Sequence, residues 1–498
     1  MQPNTWPSFN IVTPVSPSFQ LHSTLHPNRW RALFAHYPDP AFPILLADIA
    51  KYGARVGYFG PYVRIRGRNH SSAYRISQDI TQNIIDEVTA GRVVPLSSLP
   101  RTYYVSPLGA VAKKHNGLHM GWRRIHDLSY PHPRSVNDGI PANAGTLHYQ
   151  TFDDAVQLIA AAGQFATLRK RDLKDAFRVI PLSPYDYWLF LFEWQGALYM
   201  DIRLPFGLRT SPFIFNLFAE GLHWILEHVF SCQLVHYLDD FLLVNDPDLE
   251  FFSILALFLE FIENSKKHED SFVVDFLGIQ LDTAAMQARL PPDKLARALK
   301  AVQLLLQRNS ISHHSLEKLL GFMSFCTHVL PFGRPFLRNL FTFLARLSHL
   351  HLRALSRIPS SARRELRWWL HFLLHWSGIR LISSMPRRHI HLYTDASSLK
   401  GIGGWWSTFA FSARLPRFCR VRHIEWKEAY TVLFAFAKWS SHWHGCLMEI
   451  HCDNSAIVDA INSKSICGPA INLLQTLFLL TSLDDIDLKA TWLSSKDN

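Results

Sequence analysis

Apolar and polar positions along the chain change period several times. "SQDITQNIIDEVTAGRVV" predicts a helix with Ser77 at its N-cap and Gly91 at its end. "YYVSPLGAVAKK" and "GWRRIHDLS", joined by "HNG", predict a pair of strands. From Phe165 to Val244 strand-like runs alternate with a helix beginning near Ser211, and "DFLGIQLD" adds another strand. The stretches "DKLARALKAVQLLLQ", "LEKLLGFMSFCTHVL" and "ARRELRWWLHFLLHW" carry apolar residues at three-to-four spacing and predict helices. Beyond Pro386, "HIHLYTDASSLKGIGGWW" reads as two strands and "EWKEAYTVLFAFAKW" as a helix. A strand "LMEIHCDN", a helix "AIVDAIN", a helix from Pro469 and a strand "DLKATWL" follow. The first residues, rich in Pro, Ser, Asn and His, predict a loosely ordered lead-in.

A chain of 498 residues exceeds the size at which one core stops growing, so several domains are expected. Apolar content of 48% and aromatic content of 13% exclude a disordered chain. The net charge of +11 suits a polyanionic partner. Six scattered cysteines without a CxxC spacing fit a reducing, intracellular compartment, with nucleus and cytoplasm both open. The N-terminus lacks the features of a secretion signal. The most apolar run, "FFSILALFLEFIEN", is too short to span a bilayer and is interrupted by Glu260. It reads as a core-facing helix, and no membrane partner is expected.

Two sets of acids carry candidate chemistry. In "LVHYLDDFLLV" two apolar runs meet at Asp239 and Asp240. Adjacent carboxylates repel more strongly as water is excluded, so either the pair only supplies a turn or a divalent ion offsets the repulsion. Upstream, "LRKRDLKDAFRVIPL" places Asp172 at the end of an apolar strand with Phe177 five residues on, and "LPFGLRTSPFIFN" reads as a turn entering a helix. The second set is Asp395 in a strand, Glu428 on a helix, with Glu425 as its rival, and Asp453 at a strand end. A zinc site in "HWHGCLMEIHCD" is disfavoured. Its His442, His444, Cys446, His451 and Cys452 fit no ligand spacing, and strand alternation sends the last two to opposite faces.

The ordered set resembles reverse transcriptases over roughly residues 75 to 498. Asp172 matches the first catalytic Asp, "LPFGLRTSP" the template- and nucleotide-positioning motif, and "YLDD" the YxDD box. "SPLGAVAKK" with "GWRRIHDLS" match fingers strands, and "DFLGIQLD" the primer-side hairpin. "DLSYPHPRSVNDGIP" and "LGFMSFCTHVLPFGRPFLRNL" look most like the DIRS-type (tyrosine-recombinase) group of retrotransposon polyproteins. Strand-Asp, helix-Glu, strand-Asp after such a domain resembles ribonuclease H.

The resemblance implies an α+β fold, a right-hand polymerase with fingers, palm and thumb, followed by an α/β ribonuclease H-like domain. It divides the chain into a partly disordered lead-in (1–75), fingers and palm (76–290), a helical thumb or connection (291–385) and a C-terminally truncated nuclease domain (386–498). It implies that Asp172, Asp239 and Asp240, and separately Asp395, Glu428 and Asp453, are catalytic and bind Mg²⁺, with Mn²⁺ as a substitute. Lys114 and Arg123 would reach the triphosphate, and Phe177 would exclude a ribose 2′-hydroxyl. Phe206, where some relatives carry Gln, and Gly207 would contact the nucleotide. Lys266 or Lys267 could protonate the leaving group. The partners implied are an RNA template, a DNA primer, RNA–DNA hybrid and deoxynucleoside triphosphates. The oligomeric state is left open.

The family's fourth nuclease acid falls beyond Asn498, and Asp497 is a poor substitute in the preceding loop. The rivals are a decayed or domesticated retroelement protein that binds nucleic acid without catalysis, and an RNA-directed RNA polymerase. Intact acids in every motif oppose the first; Phe177 and the nuclease acids oppose the second.

Overall fold

The structure is a computed structural model that describes residues 8–15, 23–34, 36–115, 118–246, 250–351, 354–382, 387–464, 468, 470–484 and 486–494. The chain divides into two compact units, Met1–Leu158 with Thr167–Val274, and Ile159–Ala166 with Asp275–Asn498.

In the first unit a four-stranded sheet runs Glu269–Ser271, Leu168–Asp172, Asp240–Val244, Gln233–Tyr237. Its central pair is antiparallel, with Val244 opposite Leu168 and Asp240 opposite Asp172. The helix Ser211–His228 carries thirteen buried residues into the core behind this sheet. A second sheet runs Arg64–Arg66, Tyr103–Val105, Leu191–Trp194, Ala197–Asp201, Val93–Leu96.

The run "YYVSPLGAVAKK" is not one strand. Pro107 has no N–H to donate, so the chain leaves the second sheet after Val105. It begins a separate strand, Leu108–His115, that pairs with Leu118–His126. The helix Ser77–Thr89 contains Ser77 as its first residue, without a side-chain cap. Gly91 follows its end in a left-handed conformation (φ +65°). "DFLGIQLD" breaks where Leu277 and Gly278 both take positive φ, giving the two-residue turn that fits strand twist. The apolar run at 251 is helical over Phe251–Phe258; Phe252, Leu255 and Ala256 are buried, whereas Ile254 and Leu257 are exposed.

The N-terminal residues differ most from the loose lead-in expected over 1–75. Helices Pro27–Leu33 and Ala41–Tyr52 bury Trp30, Phe42, Leu46 and Ile49 in the core of the first unit. Trp30 meets Phe218 edge-on at 5.0 Å. A Cβ at Gly221 would lie 2.9 Å from Phe34 and 3.2 Å from Trp30, so this mid-helix glycine admits both rings. Polar, Pro-rich composition hid these anchors: a few aromatic rings supply enough buried area to hold the segment.

In the second unit, strands Ile279–Asp282, Gln287–Arg289 and Ile379–Leu381 pair in succession; helices Pro292–Leu306, His313–Cys326 and Ser360–His375 follow the expected periodicity, and Arg338–Leu347 is a further helix. Residues 386–498 fall within this second unit together with the helical segment before them. Glu365 accepts hydrogen bonds from the Asn339 and Leu340 amides and lies 3.3 Å from Gln475 Nε2, tying helix Ile471–Leu483 to the helical segment. The five-stranded sheet here runs Phe409–Arg414, Gly401–Trp406, Arg388–Ala396, Cys446–Cys452, Asp487–Trp492. Its first three strands are antiparallel and its last two parallel to Arg388–Ala396. Asp497 and Pro469 lie outside the described residues.

Candidate active sites

Strand pairing brings the first acid set together. Asp240 is the cross-strand partner of Asp172, and the Leu173 amide donates to the Asp239 carbonyl at 3.1 Å. Tyr237 and Asp240 close a two-residue turn in which Leu238 takes a positive φ of +55°. A branched side chain there costs about 1–2 kcal/mol, strain of the kind that a packed fold sustains at working sites.

Asp172 is 1% exposed. Burial, then Asp240 and Asp172, push the Asp239 carboxyl up to about 6. Burial and Asp172 raise Asp240 as well. The cation nearest this cluster is Lys267, whose Nζ donates to Asp172 Oδ1 at 2.5 Å and Oδ2 at 3.0 Å. Burial pulls the Lys267 ammonium down, but the Asp172 hydrogen bond and the three carboxylates outweigh it and raise its pKa. Of the two candidate lysines, Lys267 is the one that reaches the acids.

Phe177 leans on Phe206 (centroids 5.2 Å apart) and Phe215 (5.4 Å). Arg123 is exposed on its strand and lines a cavity of ≈ 180 Å³ with Arg124, Asp175, Arg178 and Phe206. Lys114 lies on the facing strand; its side chain is outside the described residues. Gly207 takes φ +93° with the His126 carbonyl 3.0 Å from where a Cβ would sit, so a side chain here would be strained and crowded.

Two supporting residues carried no signal in the sequence. Asn137 donates to the Gly207 carbonyl and to Ser129 Oγ, and accepts from the Arg209 amide, each at 2.9 Å. It pins the turn "PFGLR". Buried Arg178, next to Phe177, donates to Glu87 (2.7 Å), to Asp201 (2.5 Å) and to the Arg203 carbonyl (3.1 Å). An Asn in a "VNDG" turn and an Arg beside an aromatic residue look ordinary until distant chain segments arrive.

The second acid set lies in the second unit. Glu428, 1% exposed, accepts from the Ala396 amide at 3.1 Å and lies 3.7 Å from Cys452 Sγ. Burial, then Asp453 and Asp395, push Glu428 up to about 8. Burial and Asp453 raise Asp395. Ligand atoms of Glu428, Cys452 and Asp453 lie within 4.8 Å of one another. Glu425 points elsewhere, 3.7 Å from His423. Of the disfavoured zinc residues, Cys452 faces Glu428, His451 meets His391 on the other side, and His442 lies against Phe409.

Both sets offer hard oxygen donors whose mutual repulsion a divalent cation would offset, and Lys267 already places a positive charge on Asp172. The residues therefore fit Mg²⁺.

Residues 126–268 match the sequence profile of the family described as "Reverse transcriptase (RNA-dependent DNA polymerase)". The chain is 28% identical over 167 residues to the Pro-Pol polyprotein of feline foamy virus, covering 32% of this chain and 13% of that protein. It is 26% identical over 276 residues to Protein P of duck hepatitis B virus (strain China), covering 53% of this chain and 33% of that protein. The chain thus spans a third or less of the length of these relatives. A solved foamy viral protease-reverse transcriptase in complex with double-stranded DNA aligns with a TM-score of 0.49 at 17% identity, over 96% of this chain and 84% of that one. With both acid strands and the YLDD turn inside the matched segment, this chain carries a reverse transcriptase domain of the kind found in retroelement and retroviral polyproteins.

Proposed function

We propose that this protein is an RNA-directed DNA polymerase that extends a DNA primer on an RNA template with deoxynucleoside triphosphates, joined to a ribonuclease H-like domain that cleaves the RNA of RNA–DNA hybrids. The observation that carries the polymerase reading is the convergence of Asp172, Asp239 and Asp240 on paired strands, with Lys267 donating to Asp172. Two Mg²⁺ ions, or Mn²⁺, bound by these carboxylates would supply activation of the primer 3′-hydroxyl and neutralisation of the pyrophosphate.

The chain's own residues do the rest. Arg123 supplies a planar fork for triphosphate oxygens at the mouth of the cavity that Phe206 also lines. Phe177, buttressed by Phe206 and Phe215, sets the space available to the incoming sugar. Lys267 holds a proton close to the reacting phosphates and can pass it to the leaving pyrophosphate. Asn137 fixes the turn that presents Phe206 and Gly207.

The nuclease reading rests on acids from the central strand, the helix Ile424–Trp439 and the end of the strand Cys446–Cys452, in a sheet of three antiparallel strands extended by two parallel ones. Within retroelements, the phrases quoted above favour the DIRS-type group. Among the described residues no helix is long and apolar enough to cross a membrane.

Primer extension on an RNA template with deoxynucleotides, in Mg²⁺ and then Mn²⁺, tests the polymerase; release of labelled RNA from a hybrid tests the nuclease. Retained hybrid binding without extension in either metal would instead establish a catalytically decayed protein.

A further inference from the structure

Beyond the nuclease acids, the sheet of the second unit carries a second cluster of ligand groups. Alternation along Arg388–Ala396 puts His389 and His391 on one face, and both are about half exposed. The neighbouring strand runs parallel in a register that sets His391 beside Glu449 and Tyr393 beside His451. Polar atoms then follow one another at close intervals. His389 Nε2 lies 3.0 Å from Glu449 Oε2, that oxygen 3.8 Å from His391 Nδ1, and that nitrogen 3.0 Å from His451 Nε2. Ligand atoms around a tetrahedral Zn²⁺ with bonds of about 2.0–2.1 Å stand roughly 3.3 Å apart, within this range.

The carboxylate is oriented for the task. Glu449 Oε1 accepts from Thr491 Oγ1 and lies 3.4 Å from Lys489 Nζ, which leaves Oε2 turned to the histidines. Such outer hydrogen bonds aim a ligand and set its basicity. Lys489 meets the carboxylate at Oε1 and is itself more than half exposed.

We propose that His389, His391 and Glu449, with His451 at the fourth corner, hold a transition-metal ion of the Zn²⁺ class, at a site separate from the hard-oxygen acids. Ligand atoms of the first three residues already lie within 4.8 Å of one another. The two strands it clasps are those that carry Asp395 and end beside Asp453. Imidazole donors select zinc, cobalt or copper over Mg²⁺, which prefers oxygen, so both kinds of site can fill in one solution.

The test is titration of the metal-stripped, full-length protein with Co²⁺ in saturating Mg²⁺, read by the visible absorption of tetrahedral cobalt. One equivalent should bind and be displaced by Zn²⁺. The spectrum should persist in Asp395→Asn/Asp453→Asn and vanish in His389→Ala/His391→Ala. Thr491→Val should weaken Co²⁺ binding about 10–100-fold. Glu449→Gln serves as an independent ligand variant and should also abolish the tetrahedral spectrum. A wild-type protein without that spectrum, or a spectrum unchanged in the double His variant, overturns the proposal and leaves an ordinary His–Glu ion-pair network.

Discussion

Lys267 Nζ sits 2.5 Å from Asp172 Oδ1, so an ammonium group rests on the acid that the polymerase reading assigns to metal. Cation binding and this ion pair compete for the same oxygen. Lys267→Met should therefore lower the Mg²⁺ concentration for half-maximal extension while slowing the chemical step by about 10²–10⁴-fold, the usual range for a lost general acid. Single-turnover extension across a Mg²⁺ series reads both quantities. Lack of change in either would leave Lys267 as a structural partner only.

Asp239→Asn keeps the shape of the side chain and removes a metal-binding charge. Primer extension should fall by at least about 100-fold, with circular dichroism and hybrid cleavage unaltered. Glu428→Gln should do the reverse, losing cleavage and keeping extension. Equal loss of both activities in either variant would contradict two separate sites.

The proposed function makes Phe177, which packs against Phe206 and Phe215, the sugar filter. Truncation in Phe177→Ala opens space beside the incoming ribose. The preference for deoxynucleotide over ribonucleotide, measured as a ratio of kcat/KM values, should drop roughly 10–200-fold. An unaltered ratio would reduce Phe177 to a packing residue.

Asn137→Ala removes three hydrogen bonds that join Ser129, Gly207 and Arg209. Leaving buried polar groups unmatched costs about 1–3 kcal/mol. Urea unfolding should register that loss, and KM for the nucleotide should rise more than kcat falls, because the turn carrying Phe206 is unpinned. A variant with wild-type stability and KM would refute the pinning role.

Acid should destabilise the first unit through His223 and His236, whose Nδ1 atoms meet at 2.9 Å. Burial first, then neighbouring histidines, pull His223 down to about 4 and His236 to about 3. Glu227 at 3.7 Å and Glu220 at 4.0 Å face the pair; at those distances, with Glu227 half exposed, they do not offset burial. His228 adds a further opposing charge to His223. Between the unfolded value of 6.5 and these lowered values, the unfolded chain binds more protons than the folded one. Stability therefore rises with pH across that window and is lost as pH falls below about 6.5. In the double variant His223→Leu/His236→Leu, the urea midpoint should depend less on pH between 4 and 6.5; an equal slope would show that other groups carry the acid response.

Much of this protein is readable in one dimension because period and order are local properties. The four-residue repeat of Ile80, Ile84 and Val88 produced its helix, and the order strand-Asp172, turn-helix, Asp239-Asp240 is the order in which paired strands bring these carboxylates together. The tight turn at Leu238 and Asp239 follows from two apolar runs that both need burial. Other features depend on segments far apart in the chain. Trp30 and Phe34 anchor the N-terminus only because Gly221, nearly two hundred residues on, leaves them room. Asn137 becomes a clamp when Gly207 and Arg209 reach it, and Lys267 was separated from Lys266 by its proximity to Asp172. Glu428 and Glu425 lie on one helix, but only Glu428 faces the Ala396 amide and the Asp453 charge. Local periodicity announces which residues will be buried or extended; partner, register and electrostatic field come from non-local contacts, and these the tertiary structure alone decided.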